Sequence, residues 1–172
     1  PHVSWSKVSS GTFNVRVFPT GFIFADAGIS VFSGQVDGEI FLSGCLNSKV
    51  VPTILRGISP TLNFEAGDVS KIPVIVRTSD TALEVVKKLI RVSKDDWDIF
   101  ETSWEFTNPS LLQIERTEPL LSDAYQKLCS CWSDVVKELQ CLEEENNRIF
   151  IEAYGLQDEL KPDVPLSEIT LT

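Results

Sequence analysis

The sequence predicts an α+β fold: a small β-rich lobe with short helices over residues 1–79, then a helical half over residues 80–172. Three observations predict it. Residues 1–79 hold short apolar runs with two-residue alternation, punctuated by Gly, Pro and Asn. Residues 80–172 place their apolar side chains at three- and four-residue spacing instead. Within that second half, one segment from Leu121 keeps a heptad pattern for more than four repeats. With 42% hydrophobic and 23% charged residues, the chain has ordinary globular composition, which excludes a disordered or collagen-like polymer.

In Thr12-Phe13-Asn14-Val15-Arg16-Val17 the alternation puts Phe13, Val15 and Val17 on one face of a strand and Asn14 and Arg16 on the other. Phe18-Pro19-Thr20-Gly21 then fits a tight turn, with proline presetting φ at its second position. Gly21-Phe22-Ile23-Phe24 and Gly28-Ile29-Ser30-Val31-Phe32 are further strand candidates, and residues 33–38 form a polar loop. Short helices follow over about residues 39–46 and 49–56, with Asn47-Ser48 as a cap opening the second. Residues 58–64 read as irregular and 68–71 as a turn. Ile72-Pro73-Val74-Ile75-Val76 is expected as a returning strand with its proline at the start.

In the second half, Thr81 and Glu84 form a capping-box pattern ahead of the stripe Leu83, Val86, Leu89 and Ile90. Ser93-Lys94-Asp95-Asp96 is expected to restart a helix presenting Trp97 and Phe100. A loop with Asn108-Pro109 and Pro119 leads to the seam Leu121, Tyr125, Leu128, Trp132, Val135, Leu139, Leu142, Asn146, Ile149 and Ala153. A coiled-coil-like helix over residues 122–154 would be roughly 48 Å long, more than a small lobe needs for its own core, so an extended partner is expected, and Tyr125, Trp132 and Asn146 make it an irregular one. Gly155 is a natural helix end, and the tail beyond residue 162 reads as turn-rich and extended.

The net charge of −10 is unevenly spread. Residues 1–79 carry six bases (Lys7, Arg16, Lys49, Arg56, Lys71, Arg77) against five acids (Asp26, Asp37, Glu39, Glu65, Asp68), leaving nine bases and twenty acids for the rest. The first half is thus about +1 and the second about −11, so a polyanion would be met by the first. The longest apolar runs fall well short of the roughly 20 residues that span a bilayer, and no membrane partner is expected. Pro1-His2-Val3-Ser4-Trp5 lacks the basic start and apolar core of a signal peptide. The chain contains no methionine and does not begin with one, and so reads as a piece of a larger protein. Cys45, Cys129, Cys131 and Cys141 have no zinc-ligand spacing, and the one histidine, His2, is remote from them in sequence. They read as free thiols of a cytoplasmic protein.

No catalytic constellation is visible. A Gly-rich phosphate loop, a histidine partner for a serine or cysteine nucleophile, and a metal-ligand cluster are all missing from the sequence. Asp95, Asp96 and Asp98 read as acids at a helix start, and Glu143-Glu144-Glu145 as a solvated face. What remains is a surface. Asn14 and Arg16 share the polar face of a strand beside Lys7, Ser9 and Ser10. Arginine reads guanine and asparagine reads adenine through bidentate contacts, while lysine and serine hold phosphate. Ordinary solvated strand residues would carry the same pattern.

Three stretches together resemble a known family. The first is Trp5-Ser6-Lys7-Val8-Ser9-Ser10-Gly11-Thr12-Phe13 continuing to Phe18-Pro19-Thr20-Gly21-Phe22-Ile23-Phe24. The second is Leu46-Asn47-Ser48-Lys49 leading through Ile58-Ser59-Pro60-Thr61-Leu62-Asn63-Phe64 to Lys71-Ile72-Pro73-Val74. The third runs from Leu142-Glu143-Glu144-Glu145-Asn146-Asn147-Arg148 to Tyr154-Gly155-Leu156. They resemble the C-terminal specificity region of large bacterial adenine-specific DNA methyltransferases, of the type IIG restriction-modification and BREX phage-defence kind. The layout is also similar to target-recognition domains of restriction specificity subunits.

That resemblance implies a Rossmann-like methyltransferase domain upstream, carrying S-adenosylmethionine and an Asn-Pro-Pro-aromatic motif for an extruded adenine. Asn108-Pro109-Ser110-Leu111 lacks the second proline and the aromatic, so the present chain is expected to hold no cofactor and no catalytic residue. Its implied task is to hold double-stranded DNA opposite that domain and read its sequence, with the acidic long helix as spacer. Lys7, Ser9, Ser10, Asn14, Arg16, Gln35, Lys49 and Asn63 are the expected DNA contacts. Ser48 is expected as a helix cap, Gly11, Gly21 and Gly67 as turn residues, and Trp5, Phe22 and Phe24 as core. The competing reading is an assembly module whose heptad helix binds a protein partner while the β-rich half is scaffold.

Overall fold

The computed structural model describes residues 1–75, 80–113, 120–169 and 171. It has the expected α+β architecture: strands β1 (His2–Ser6), β2 (Arg16–Phe18) and β3 (Gly28–Val31) precede helices α1 (Gly38–Leu46), α2 (Val50–Ile58), α3 (Ala66–Val69), α4 (Asp80–Asp98), α5 (Ser110–Gln113) and α6 (Leu121–Tyr154). The chain divides into two compact units. One comprises residues 1–87 and 144–163, the other residues 88–143 and 164–172.

In the first unit the sheet has the order β2-β1-β3, all antiparallel, with Val3 opposite both Val17 and Val31. The central strand β1 is not among the strands read from the sequence. Val3 and Trp5 enter the core from one face, whereas on the other His2 is buried in an aromatic cluster, its ring 5.5 Å from that of Phe18 and 5.4 Å from that of Phe32. Along that second face Ser4 is half-buried and Ser6 exposed.

The alternation read over residues 12–17 holds in burial, with Phe13 and Val15 in the core and Thr12, Asn14 and Arg16 exposed. Ladder pairing starts only at Arg16. One residue earlier a side chain stands in for a partner strand, because the Asn47 amide accepts from the Val15 N–H at 2.8 Å and donates to its carbonyl at 3.0 Å. Residues 21–24 are not a strand. Gly21 turns the chain at φ 106°, and Phe22 and Phe24, 43% and 53% exposed, join the aromatic cluster instead of the core expected for them. Trp5 is core as expected, and its indole N–H donates to the Phe64 carbonyl at 2.9 Å. Residues 71–75 form a turn and irregular chain rather than a returning strand; Val76 and Arg77 lie outside the described residues.

Helices α1 and α2 form close to where they were read, but the junction works differently. Ser48 does not cap α2; its buried hydroxyl donates back to the Cys45 carbonyl at 2.7 Å, and Lys49 occupies the cap position. The cap function comes from a distant residue, since the Asn147 carbonyl oxygen accepts the Lys49 N–H at 2.9 Å. Asn147 also donates to the Pro162 carbonyl, and its neighbour Asn146 donates to the Gly44 carbonyl at 3.0 Å. The tandem asparagines thus tie α6 to both short helices and to the chain that follows it. Phe150 and Ile151, one turn on, complete the core with Phe41, Cys45, Val50, Val51 and Leu55. Burial raises the pKa of the Cys45 thiol, and the Tyr154 hydroxyl beside it is likewise pushed up by burial. The helix ends at Gly155 (φ 71°) in a Schellman motif, with Leu156 N–H on the Ile151 carbonyl and Gly155 N–H on that of Glu152.

Helix α4, whose residues up to Lys87 belong to the first unit and the rest to the second, runs unbroken through the restart expected at residues 93–96, and Thr81 lies inside the helix rather than at its cap. Asp95, Asp96 and Asp98 therefore occupy the last turn, where the helix dipole disfavours acids. Local cations answer this: Lys94 pairs with Asp98 and Glu105, and Ser103 donates to Asp98 at 2.7 Å. Lys94 first and Ser103 second hold the Asp98 carboxyl below the usual carboxylate range. Along α6 the heptad seam is buried at Leu128 and Leu139, while Leu121, Tyr125 and Trp132 are exposed. No helix among the described residues is long and apolar enough to cross a membrane.

Candidate nucleic-acid interface

The eight expected contacts do not all fall in one place. Ser9, Ser10, Asn14 and Asn63 share one region of the first unit, because residues 7–9 and 62–64 zip together: Ser9 N–H bonds the Leu62 carbonyl at 3.1 Å and Phe64 N–H the Lys7 carbonyl at 2.7 Å. Ser9 and Asn14 line a notch of about 30 Å³ with Ser6 and Thr12. Ser10 lines an adjoining groove of about 460 Å³. Arg16 follows Asn14 on the same exposed face, opposite Ser4 across the β2–β1 ladder.

Lys7 is differently placed. Its ammonium lies 3.1 Å from Asp26 and 3.5 Å from Glu65, and the Asp26 carboxylate holds its pKa above the ordinary lysine value. One cation between two carboxylates leaves local negative charge, a poor phosphate site. Lys49 is taken up by structure, its N–H on Asn147 and its ammonium on the Asp163 carbonyl. Gln35 sits in the loop before α1, where its backbone exchanges hydrogen bonds with the Ser33 hydroxyl. The structure does not bring Gln35 or Lys49 to the notch.

The sequence reading missed Arg56. It projects into the groove from the last turn of α2, together with Pro52, Leu55 and Ser59. Spacings of three, four and seven residues put these four on one helical face, a signal present in the sequence. In the first unit most other cations are engaged: Lys71 with Asp68, Lys87 with Asp37 and Glu84, Arg148 with Glu145. Among the described residues, Arg16 and Arg56 carry no ion pair. The guanidinium, amide and hydroxyl groups of this surface can hold a ligand by donating hydrogen bonds.

The chain is 38% identical over 164 residues to the adenine-specific methyltransferase PglX of Lacticaseibacillus casei (strain Zhang). This chain resembles a segment of adenine-specific methyltransferases. A second relative, the adenine-specific methyltransferase BrxX of Escherichia coli O9:H4 (strain HS), is 35% identical over 158 residues. The matches cover 94% and 91% of this chain but only 14% and 13% of PglX and BrxX, so the chain spans about one-seventh of the curated relatives it matches. No protein-family model matches it. Nearly the whole chain, both units included, is matched by PglX and BrxX.

Proposed function

We propose that this chain is the DNA-recognition part of an adenine-specific DNA methyltransferase, positioning duplex DNA for S-adenosylmethionine-dependent methylation by a separate catalytic domain. The similarity to PglX and BrxX over nearly its whole length carries the reading. The distribution of free charge supports it. Arg16 stands exposed without a carboxylate partner, on the same face as Asn14 and close in sequence to Ser9 and Ser10. Guanidinium and amide groups of this kind read base edges in the major groove, and hydroxyls hold phosphates. Of the eight residues expected at DNA, Ser9, Ser10, Asn14, Arg16 and Asn63 form the proposed face, and Lys7 borders it. On this reading the protein works in the cytoplasm, where the DNA is.

Arg16→Glu in the full-length protein is expected to reduce methylation of duplex DNA at least tenfold while S-adenosylmethionine binding stays unchanged, measured by methyl transfer and calorimetry on the same preparation. Unaltered methylation removes Arg16 from the DNA face.

The exposed Leu120, Leu121, Tyr125 and Trp132 on and just before α6 favour a second role, assembly with a protein partner. Salt separates the two. Binding through phosphates weakens steeply as salt rises, whereas binding through an apolar helix face does not.

A further inference from the structure

The groove of about 460 Å³ in the first unit lies within the roughly 300–1,000 Å³ range of ligand sites. Its floor is apolar, with the buried Phe13 and the half-buried Phe64 ring against it at a centroid distance of 5.1 Å. Four hydroxyl residues, Ser10, Thr12, Ser59 and Thr61, are among its lining. No carboxylate lines it, in a chain of net charge −10. Arg56 is its one charged residue.

The hydroxyls are not equivalent. Thr61 donates to the Asn63 carbonyl at 3.2 Å and lies 3.3 Å from the Ser59 hydroxyl. Asp68 is neutralised by Lys71 at 2.9 Å, so its charge is compensated outside the groove. Ser10 and Thr12 carry no side-chain hydrogen bond among the described residues, and Arg56 has no partner there either. Three unengaged donor groups therefore face one acid-free groove. We propose that Arg56, with Ser10 and Thr12, binds a phosphodiester of the DNA backbone, a contact that fixes the register of the base-reading face at Asn14 and Arg16. This rests on the DNA-recognition role proposed above. A cation in the last turn of α2 also suits the helix dipole, so the test must separate charge from structure.

The test uses the full-length protein and a random-sequence duplex, with binding followed by fluorescence anisotropy across a salt series. Arg56→Gln keeps a polar, hydrogen-bonding side chain at an exposed position and removes its charge. It is expected to weaken binding uniformly across sequences and to reduce the slope of log K against log salt by about one, with Arg56→Lys restoring most of the slope. An unchanged slope and affinity in Arg56→Gln, with wild-type protein binding normally, overturns the phosphate contact alone. Failure of the wild type to bind DNA overturns the recognition role itself. A second arm adds inorganic phosphate without DNA: thermal stabilisation that disappears in Arg56→Gln while the DNA slope stays intact assigns the groove to free phosphate and overturns the backbone proposal.

Discussion

Phe150→Ala is expected to destabilise the first unit by about 3–5 kcal/mol, lowering its urea midpoint with little change in slope. Phe150 is 1% exposed and is the largest of the fully buried side chains. Its ring lies 5.6 Å from that of Phe41 on α1, and one of its edge carbons packs beside Gly44. Two elements that are distant in sequence, α1 and α6, therefore meet on one ring. Truncation removes the transfer free energy and leaves a cavity that two short helices and α6 cannot close without breaking the Asn146 and Asn147 hydrogen bonds. Because α1 carries the junction that holds residue 15 through Asn47, loss of this packing reaches the strand bearing Arg16. A loss below about 1 kcal/mol would mean that the contact between α1 and α6 is not the core described here.

Gly44→Ala is expected to cost about 1–3 kcal/mol, although alanine is ordinarily the better helix residue by up to about 1 kcal/mol. The sign reverses because of a close approach. A Cβ at position 44 would lie 2.4 Å from Cγ2 of Val86, 3.0 Å from Oδ1 of Asn146 and 3.3 Å from Cε2 of Phe150. Val86 is buried and β-branched, so it has little freedom to turn away. The Asn146 oxygen is already buried without a hydrogen-bond partner. The measurement is a thermal melt of the variant beside Gly57→Ala, whose added Cβ would meet nothing within 4 Å. Gly57→Ala is expected to melt no lower than wild type. A Gly44→Ala protein as stable as Gly57→Ala would contradict the packing.

The sequence displayed some of this fold directly. Where periodicity and burial agree, as at Phe13, Val15 and the apolar positions of α1 and α2, alternation and helical spacing were sufficient. The end of α6 at Gly155 was equally plain, because a positive φ there needs glycine. Tertiary structure overrode local pattern elsewhere. Gly21-Phe22-Ile23-Phe24 has strand propensity but no ladder among the described residues, and its aromatics pack instead on Phe18 and on the buried His2. Asn146 sits in a heptad seam as the polar exception, yet it and Asn147 are what join α6 to α1 and α2 across about a hundred residues of sequence. No local rule reveals such a bond.

The proposed DNA face was legible in residue type and less so in position. Asn14, Arg16, Ser9 and Ser10 lie close in sequence, and the alternation that exposes Asn14 and Arg16 is a local property. Lys7 was read as a cation without its two carboxylates, Asp26 and Glu65, which approach only through the turn before β3 and the pairing of residues 7–9 with 62–64. Arg56 was read as the end of a helix, and it became a groove residue once α2 was set against residues 10–13 and 59–64.

Amide hydrogen exchange of the full-length protein, with and without a pool of random-sequence duplexes, tests most directly whether the first unit meets DNA. Slowed exchange is predicted in peptides covering residues 9–16 and 56–61, with residues 121–143 unchanged and the effect lost at high salt. Protection confined to residues 121–143 or to parts outside this chain, with residues 9–16 and 56–61 exchanging as in free protein, would contradict it.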